Sequence, residues 1–304
     1  MSRPQAGKPV ISSLPAAGFL LLAALTVFWG VNWPAMKIVL SELPVWWFRS
    51  LCLVVGGAGL LSISLVSGST LKVPRRELRP LFICATFNVV GWHLCSAYGI
   101  SLMAAGRAAI VAFTMPVWAA LFSSLFLGEA LTRNKIVGLL FGVGGLAVLI
   151  GPDLLILKAA PVGALFMLLA AISWAMGTVA IKRFNWTTPL ASLVGWQLLA
   201  GALPITLGAL AFEPFPAFGA LSERALFALA YVFAFPMLFC QWAYFKTVRL
   251  FPASIAAIGT LAIPVAGVYS SALILGEPAG IQELAALVLI CAALACVLLV
   301  RGAR

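Results

Sequence analysis

The sequence predicts an all-α integral membrane protein whose ten transmembrane helices form two inverted five-helix repeats. Three observations support this fold class. Hydrophobic residues make up 63% of the 304-residue chain and charged residues only 9%, which is too little charge to cover the surface of a soluble domain. The apolar residues are gathered into spans long enough to cross a bilayer. One apolar stretch occurs twice, at equivalent places in the two halves of the chain.

Each predicted span can form a helix of about 20 residues, which satisfies its own backbone hydrogen bonds in lipid. The first span follows Arg3 and Lys8 as a signal peptide would, but it is too long for one, so we expect it to be retained. The connections are short, and no soluble domain is expected between spans. The spans are Gly18–Leu40, Pro44–Val66, Leu78–Ile100, Ala105–Leu127, Lys135–Gly151, Ala160–Lys182, Pro189–Ala211, Ala225–Thr247, Ala253–Leu275 and Ile281–Val300.

The repeated stretch covers Ala108–Thr132 and then Ala256–Gly280, at an offset of 148 residues. Each copy has a proline near its middle and Leu-Gly-Glu near its end. We therefore expect one repeat over residues 1–152 and a second over residues 153–304. Five spans per repeat is an odd number, so the second repeat must enter the membrane upside down relative to the first. The matched residues are Pro116 and Pro264, Ser123-Ser124 and Ser270-Ser271, and Leu127-Gly128-Glu129 and Leu275-Gly276-Glu277.

Lysine and arginine residues predict the orientation of the chain. One set of loops, together with both termini, carries fourteen of the nineteen basic residues, whereas the opposite loops carry only Arg107, Lys158 and Arg224. We therefore expect both termini to lie in the cytoplasm. In this orientation Glu129 lies on the cytoplasmic side and Glu277 on the outside.

Composition also argues against several classes of protein. The net charge of +11 comes from basic residues scattered between apolar spans, so no basic face for a nucleic acid can be built. The chain has one histidine and no CxxC motif, so we expect no metal, no cofactor and no enzyme active site. All six cysteines fall inside apolar spans, where packing is their expected role. They are Cys52, Cys84, Cys95, Cys240, Cys291 and Cys296.

The twice-repeated Pro…Leu-Gly-Glu pattern, the ten spans and an early Trp29-Gly30-Val31-Asn32 resemble the EamA-type branch of the drug/metabolite transporter superfamily. The resemblance covers nearly the whole chain. Within that superfamily, the tryptophan-rich chain looks most like the bacterial aromatic amino acid exporters of the YddG type. The resemblance implies the export of amino acids from the cytoplasm through a cavity between the two repeats.

Polar side chains inside spans are candidates for this cavity, because they are costly in lipid. In the first span, Asn32, Trp33 and Lys37 could hold a carboxylate by charge and a side chain by stacking or cation–π contact. Snorkelling of Lys37 to the interface is the alternative, and for Arg49 it is the preferred interpretation. His93 could bind a substrate carboxylate or a carbonyl of a neighbouring helix.

Further candidates lie in the third, sixth, seventh and eighth spans. Polar neighbours flank two deep tryptophans, and aromatic walls would accept apolar and aromatic side chains of several shapes. Gln197 lies on a stripe that could equally be a helix-packing face. The residues chosen for the cavity are Tyr98, Trp174, Thr178, Gln197, Gln241, Trp242 and Tyr244.

The prolines in the repeated stretch suggest motion. Pro116 and Pro264 each remove a backbone hydrogen bond and bend their helix, which predicts a hinge, although a static kink is the alternative. Thr260 could bond a carbonyl freed by Pro264 or a substrate. Glu129 and Glu277 lie at helix ends, where capping or ion pairing is the expected role.

The leading hypothesis is an exporter of amino acids in the lipid bilayer. Its inverted repeats would provide the two conformations that alternating access needs. An exporter of drugs or other metabolites on the same fold ranks second, because lipophilic cations would prefer a buried carboxylate. Phosphate-bearing substrates would want several buried cations. A scaffold or receptor would leave the inverted duplication without a use. His93 would be the first candidate for proton coupling, and facilitated diffusion fits equally well. A ten-helix unit can enclose a cavity alone, which favours a monomer.

Overall fold

Helices account for nearly all of the structure, a computed structural model that describes residues 16–156, 160–243 and 253–298. Within these ranges there is no β-strand. The helices are α1 (Ala16–Leu40), α2 (Val45–Val66), α3 (Arg75–Ala85), α4 (Trp92–Leu102), α5 (Ala105–Ala112), α6 (Met115–Leu127), α7 (Arg133–Ile156), α8 (Ala160–Arg183), α9 (Leu190–Phe212), α10 (Glu223–Val232), α11 (Ala253–Leu275) and α12 (Ile281–Leu298).

Two π-helical segments interrupt the regular helices. Thr86–Gly91 joins α3 to α4, and Phe233–Phe239 continues α10. As far as the described residues reach, each predicted span therefore coincides with one helix or with two or three consecutive helical pieces. In the described part of the chain, seven helical segments are long and apolar enough to cross a membrane, and two shorter apolar helices follow at Ala262–Leu275 and Ile281–Cys296. The prediction of an all-α membrane fold is confirmed.

The main packing contacts join helices of the predicted first repeat to helices of the second. Helix α2 packs on α9, α7 on α12, α1 on α11, and both α4 and α6 on α8. Small residues permit the closest approach. A Cβ atom placed on Gly30 would lie 2.4 Å from Cβ of Ala266, so α1 and α11 meet with almost no side chain between them.

The Leu-Gly-Glu sequences end their helices through glycine. Gly128 and Gly276 both have φ of 68°, the left-handed conformation that glycine adopts without steric cost. The chain turns sharply after α6 and after α11, and the glutamate that follows each glycine is left outside its own helix. The repeated sequence thus places one carboxylate beyond each of the two helix ends.

The largest buried cluster takes residues from every helix except α3 and α6. Phe48, Cys52, Ile100, Ile110 and Met167 are completely buried in it. Because both predicted repeats contribute to this cluster, the functional side chains of one repeat are held against the other.

Candidate functional site

The turn between α4 and α5 is held from two sides by charged groups. The ammonium of Lys37, on α1, donates hydrogen bonds to the carbonyls of Ile100 (2.7 Å), Ser101 (3.1 Å) and Met103 (2.9 Å) at the end of α4. The carboxylate of Glu277, just after α11, accepts hydrogen bonds from the backbone N–H groups that begin α5. Lys37 thereby caps the end of one helix and Glu277 the start of the next.

The two amides that Glu277 binds are those of Ala105 (2.8 Å) and Gly106 (3.0 Å). The expectation that Glu277 serves as a helix cap is confirmed. Lys37 directs its ammonium to three carbonyls at and just beyond the end of α4, so the structure gives this lysine a different use from the predicted carboxylate-binding group of Asn32, Trp33 and Lys37.

More polar contacts brace the same end of the bundle, which the basic residues of the sequence predict to be the outer end. Arg107 and Glu283 form an ion pair at 2.8 Å, and Arg224 donates to the carbonyl of Ile274 at 2.9 Å. The backbone N–H of Ser222 donates to Glu42 at 2.7 Å, and the hydroxyl of Ser222 lowers the pKa of the Glu42 carboxyl by hydrogen bonding to it. Two of these contacts, Arg107 with Glu283 and Ser222 with Glu42, join the two predicted repeats, and the third lies within the second repeat.

Glu129 and Lys182 form an ion pair at the opposite end, with the lysine ammonium 3.1 Å from the carboxylate. Lys135 also donates to Glu129, at 3.2 Å. The hydrogen bond from Lys182 lowers the pKa of the Glu129 carboxyl, partial burial opposes this effect, and Lys135 adds to it. The expectation that Glu129 pairs at a helix end is confirmed.

Trp33 is buried in the contact between α1, α5 and α11. Its ring centroid lies 6.5 Å from that of Phe113, and its Cδ1 atom would lie 3.0 Å from a Cβ placed on Gly267. The amide of Asn32 donates to the sulfur of Met36 at 3.6 Å, while its Oδ1 is buried without a partner. Asn32 and Trp33 therefore lie in the interior, next to the helices that carry the repeated stretch.

Arg49 is buried inside the bundle, with 3% of its surface exposed. Its Nη2 donates to the hydroxyl oxygen of Ser96, on α4, at 2.9 Å, and its Nε has no partner in the described part of the chain. His93 lies one turn before Ser96, is 6% exposed, and has no partner at Nδ1. The expectation that Arg49 snorkels to the interface is wrong, because the side chain turns toward α4 instead of toward the helix end.

Aromatic rings line the neighbouring part of α4 and α8. Trp174 and Trp92 pack with ring centroids 5.2 Å apart, and Trp174 is 37% exposed. The hydroxyl of Thr178 donates to the carbonyl of Trp174 at 2.9 Å, so it is used within its own helix. The structure thus brings Trp174 close to the helix that carries His93, and leaves Thr178 in a local hydrogen bond.

Tyr98 lies near the predicted outer end. Its hydroxyl accepts a hydrogen bond from Nε1 of Trp46 at 2.8 Å, and its ring stacks on Phe166 with centroids 5.3 Å apart. Trp46 in turn packs on Gly208, where an added Cβ would lie 2.2 Å from the indole ring. Tyr98 is therefore anchored between α2 and α8.

The remaining predicted residues are dispersed. Gln197 is buried on α9, and its Nε2 has no partner. Gln241 is half-buried, and Trp242 is 39% exposed beside Phe239, at a centroid distance of 5.9 Å. Tyr244 and the side chain of Thr260 lie outside the described residues.

The two predicted hinge prolines have different surroundings. α5 ends at Ala112, and α6 begins at Met115, so a helix break immediately precedes Pro116. The hydroxyl of Thr114, within the break, donates to the carbonyl of Val111 at 2.7 Å and accepts from Nε1 of Trp118 at 3.1 Å. Pro264 lies inside the uninterrupted α11. The hinge itself stays a prediction.

Sequence reasoning missed three features of this region. It took Arg49 for an interfacial side chain, it left out Ser96, and it did not anticipate the π segments. The spans are apolar on every side, so no periodicity indicates which face of α2 turns inward. Pro236 is a signal for the second π segment, since it lies within Phe233–Phe239, but the first segment contains no proline.

The described residues contain no group of three or more His, Cys, Asp or Glu side chains that could hold a metal ion. Around α4 the bundle offers instead a buried guanidinium, an imidazole and two indole rings. Such a set can bind a small molecule by charge, hydrogen bonding and stacking.

Comparison with known proteins identifies the family of this chain. The model of the EamA-like transporter family matches twice, at residues 16–151 and 161–299. The uncharacterized transporter YvbV of Bacillus subtilis (strain 168) is 30% identical over 278 residues, covering 89% of this chain and 88% of that protein. A protein of Salmonella typhimurium named as a probable amino-acid metabolite efflux pump is 29% identical over 304 residues, covering 91% of this chain and 93% of its own.

A solved crystal structure also matches, with a TM-score of 0.64 and 21% sequence identity. The match covers 92% of this chain and 96% of that chain. At this level of identity the likeness concerns the fold alone.

Proposed function

Because this chain belongs to the EamA-like transporter family, we propose that it exports amino acids with apolar or aromatic side chains from the cytoplasm by alternating access. The protein is a multi-pass membrane transporter. To this the proposal adds the substrate, the direction of transport and the alternating-access mechanism. It also includes a monomeric unit in a bacterial inner membrane, with both termini in the cytoplasm.

One observation supports the mechanism: Lys37 and Glu277 hold the turn between α4 and α5 from two sides. Lys37 and Glu277 satisfy carbonyls and amides at this turn, which belong to the unpaired backbone groups that every helix end leaves. Glu277 comes from the second repeat and Lys37 from the first, so the turn can open only if both contacts are exchanged for water or other partners. The predicted outer end is therefore a gate in its closed state.

The sequence repeat supplies a counterpart for each gate residue. Glu129 corresponds to Glu277 at the offset of 148, and Lys182 corresponds to Lys37 at the offset of 145 that also relates Trp29 to Trp174. The two lysines have different partners, since Lys37 binds carbonyls of α4 whereas Lys182 binds Glu129. We propose that the lysines exchange these two kinds of partner when the transporter changes conformation.

Two observations support the amino acid substrate. A relative that matches over most of its length carries a name with amino-acid metabolite efflux in it. Indole rings lie beside buried hydrogen-bonding groups, as at Trp174 and Trp92, which suits molecules that have a polar end and an apolar side chain.

A disulfide across the gate tests the mechanism. A Cβ placed on Gly106 lies 3.6 Å from Cβ of Ser271, within the span of about 3.5–4.5 Å that a disulfide needs. We expect oxidation of the Gly106→Cys, Ser271→Cys double variant to stop transport, and reduction to restore it. Each single variant, oxidised in the same way, is the control. Undiminished transport by the cross-linked protein would refute alternating access through this gate.

Uptake into liposomes that contain only the purified protein tests the substrate. A panel of labelled amino acids is measured with and without a pH gradient. Saturable uptake of several apolar and aromatic amino acids supports the proposal, and acceleration by the gradient would identify transport as proton-coupled. Transport of a lipophilic cation or a sugar phosphate, with no amino acid transported, would leave the family membership in place and contradict the substrate.

A further inference from the structure

Arg49 is a buried cation that has no carboxylate partner among the residues that the structure describes. Its guanidinium keeps one hydrogen bond, to Ser96, and lies 5.0 Å from the ring centroid of Phe48. Its Nε–H is buried and unpaired. Arginine does not lose its proton in proteins, so the charge stays when the side chain is buried.

Of the seven glutamates that the structure describes, six are used elsewhere, and the seventh, Glu223, is exposed in the first turn of α10. Six glutamates form the helix-end contacts given above or equivalent ones, and none of them pairs with Arg49. A buried charge without a counter-charge is strongly unfavourable. A bound anion that is not part of the protein lowers this free-energy cost. The glutamates in these contacts are Glu42, Glu77, Glu129, Glu213, Glu277 and Glu283.

His93 supplies a second unused group in the same place. It lies three residues before Ser96 on α4, and the Ser96 hydroxyl donates to the carbonyl of His93 at 3.3 Å. The Nδ1 atom of His93 is buried without a partner. Ser96 thus connects the guanidinium of Arg49 to the backbone of His93, and two buried nitrogen atoms, Nε of Arg49 and Nδ1 of His93, have no partner among the described residues.

We propose that Arg49, together with His93, binds the carboxylate group of the transported molecule. A carboxylate accepts hydrogen bonds on two oxygens, and arginine is the residue best suited to give them. This inference rests on the proposed function, because amino acids supply the carboxylate. It defines the substrate class more closely, as a monocarboxylate with an apolar or aromatic side chain.

The position of Arg49 and His93 fits a substrate on its way out. Arg49 lies four residues into α2, about 6 Å from its predicted outer end, and His93 lies nine residues before the end of α4, about 14 Å deep. Trp92 is next to His93 and packs on Trp174. A carboxylate held at Arg49 and His93 would lie between the middle of the bundle and its predicted outer end, at the level of the helix turn that also carries Trp92.

The first test uses the wild-type protein in liposomes with labelled L-phenylalanine. Two unlabelled competitors each lack one charged group: phenylalaninamide has no carboxylate, and 3-phenylpropanoate has no ammonium group. We expect 3-phenylpropanoate to compete, and phenylalaninamide to compete about tenfold less well than phenylalanine, as loss of a hydrogen bond to a charged group implies. Equal competition by the amide would overturn the inference without any variant.

The second test removes the charge. Arg49→Gln should lose the preference for phenylalanine over its amide, whereas Arg49→Lys should keep part of it. Cys52→Ala, which changes a completely buried residue one turn further along α2, is the matched control and should keep all of it. An Arg49→Gln variant that still discriminates would contradict the proposal. If this variant does not purify as a single species, His93→Gln and Ser96→Ala take its place, with the same expected direction.

Thermal unfolding separates this inference from the proposed function. If the protein transports no amino acid, but 3-phenylpropanoate raises its Tm and the Arg49→Gln variant does not respond, the carboxylate site is supported and the amino acid substrate is refuted. If phenylalanine is transported equally by wild type and Arg49→Gln, the substrate is supported and the site is refuted.

Discussion

The carboxylate of Glu277 accepts a hydrogen bond from the backbone nitrogen of Ala105 at 2.8 Å, although the two residues are 172 positions apart in the sequence. Glu277 lies near the end of the second copy of the repeated stretch. Ala105 begins α5, and α5 and α6 together contain most of the first copy. This contact ties the two copies together at one end of the bundle, and the predictions below examine it and its surroundings.

Replacing Glu277 by Gln should loosen the start of α5. The variant keeps an oxygen acceptor but loses the negative charge that faces two helix amides, a change that we expect to lower stability by about 1 kcal/mol, as for other lost caps. Hydrogen exchange of the peptide that contains Ala105 and Gly106 should accelerate. Glu223→Gln, at an exposed residue in the first turn of α10, is the control. If this variant accelerates exchange of the Ala105–Gly106 peptide equally, the effect of Glu277→Gln is not local.

Replacing Lys37 by Met should lower the thermal stability of the protein in the absence of any substrate. The change leaves three carbonyls at the end of α4 without their donor, and a lost hydrogen bond to a charged group costs about 1.5–3 kcal/mol. Tm in detergent is the measurement, and Lys72→Met, in an exposed loop, is the control. An unchanged Tm together with weaker substrate binding would favour the binding role that the sequence suggested for Lys37.

The ion pair of Glu129 and Lys182 should depend on pH in a defined direction. The pKa of the Glu129 carboxyl is lowered in the folded protein, chiefly by the hydrogen bond from Lys182. The pair therefore contributes its full stability above the unfolded pKa of glutamate, about 4.3, and loses it as the pH falls through the lower folded value. Because both side chains are partly exposed, we expect a coupling of about 0.5 kcal/mol at pH 7.

A double-mutant cycle with Glu129→Gln and Lys182→Gln measures this coupling from Tm at several pH values. Arg183→Gln is a suitable comparison, since Arg183 donates to the carbonyl of Phe126, which does not titrate in this range. A coupling that grows as the pH falls below 4.3 would contradict the assignment of charge.

Adding one methyl group at Gly30 should disturb the contact between α1 and α11. The new Cβ would lie 2.4 Å from Cβ of Ala266 and 3.0 Å from its backbone carbonyl carbon, so a helix must shift. Overpacking of this kind costs about 1–3 kcal/mol. We expect Gly30→Ala to lower Tm, whereas Gly144→Ala, where nothing lies within 4 Å of the added Cβ, should leave it unchanged or raise it. Equal effects would show that α1 and α11 can separate without loss.

The sequence by itself determined the fold class and the positions of the helices. Apolar spans, prolines and glycines act locally: Pro44 and Gly128 flank α2 and α6 because of their own backbone preferences, whatever they contact. The repeat also indicated that Glu129 and Glu277 would lie at helix ends. These features follow from chain chemistry and from the thickness of a bilayer, so one sequence is enough to predict them.

Only the tertiary structure decided which polar side chains meet. Arg49, His93 and Ser96 come together because one face of α2 packs on α4, and a helix that is apolar all round does not reveal that face in its sequence. The tertiary structure likewise gave Lys37 three carbonyls of α4 and gave Glu277 the amides of α5. Such partners depend on helix packing across distant parts of the chain, and the sequence repeat fixes the spacing of the charged residues but not the atoms that they bind.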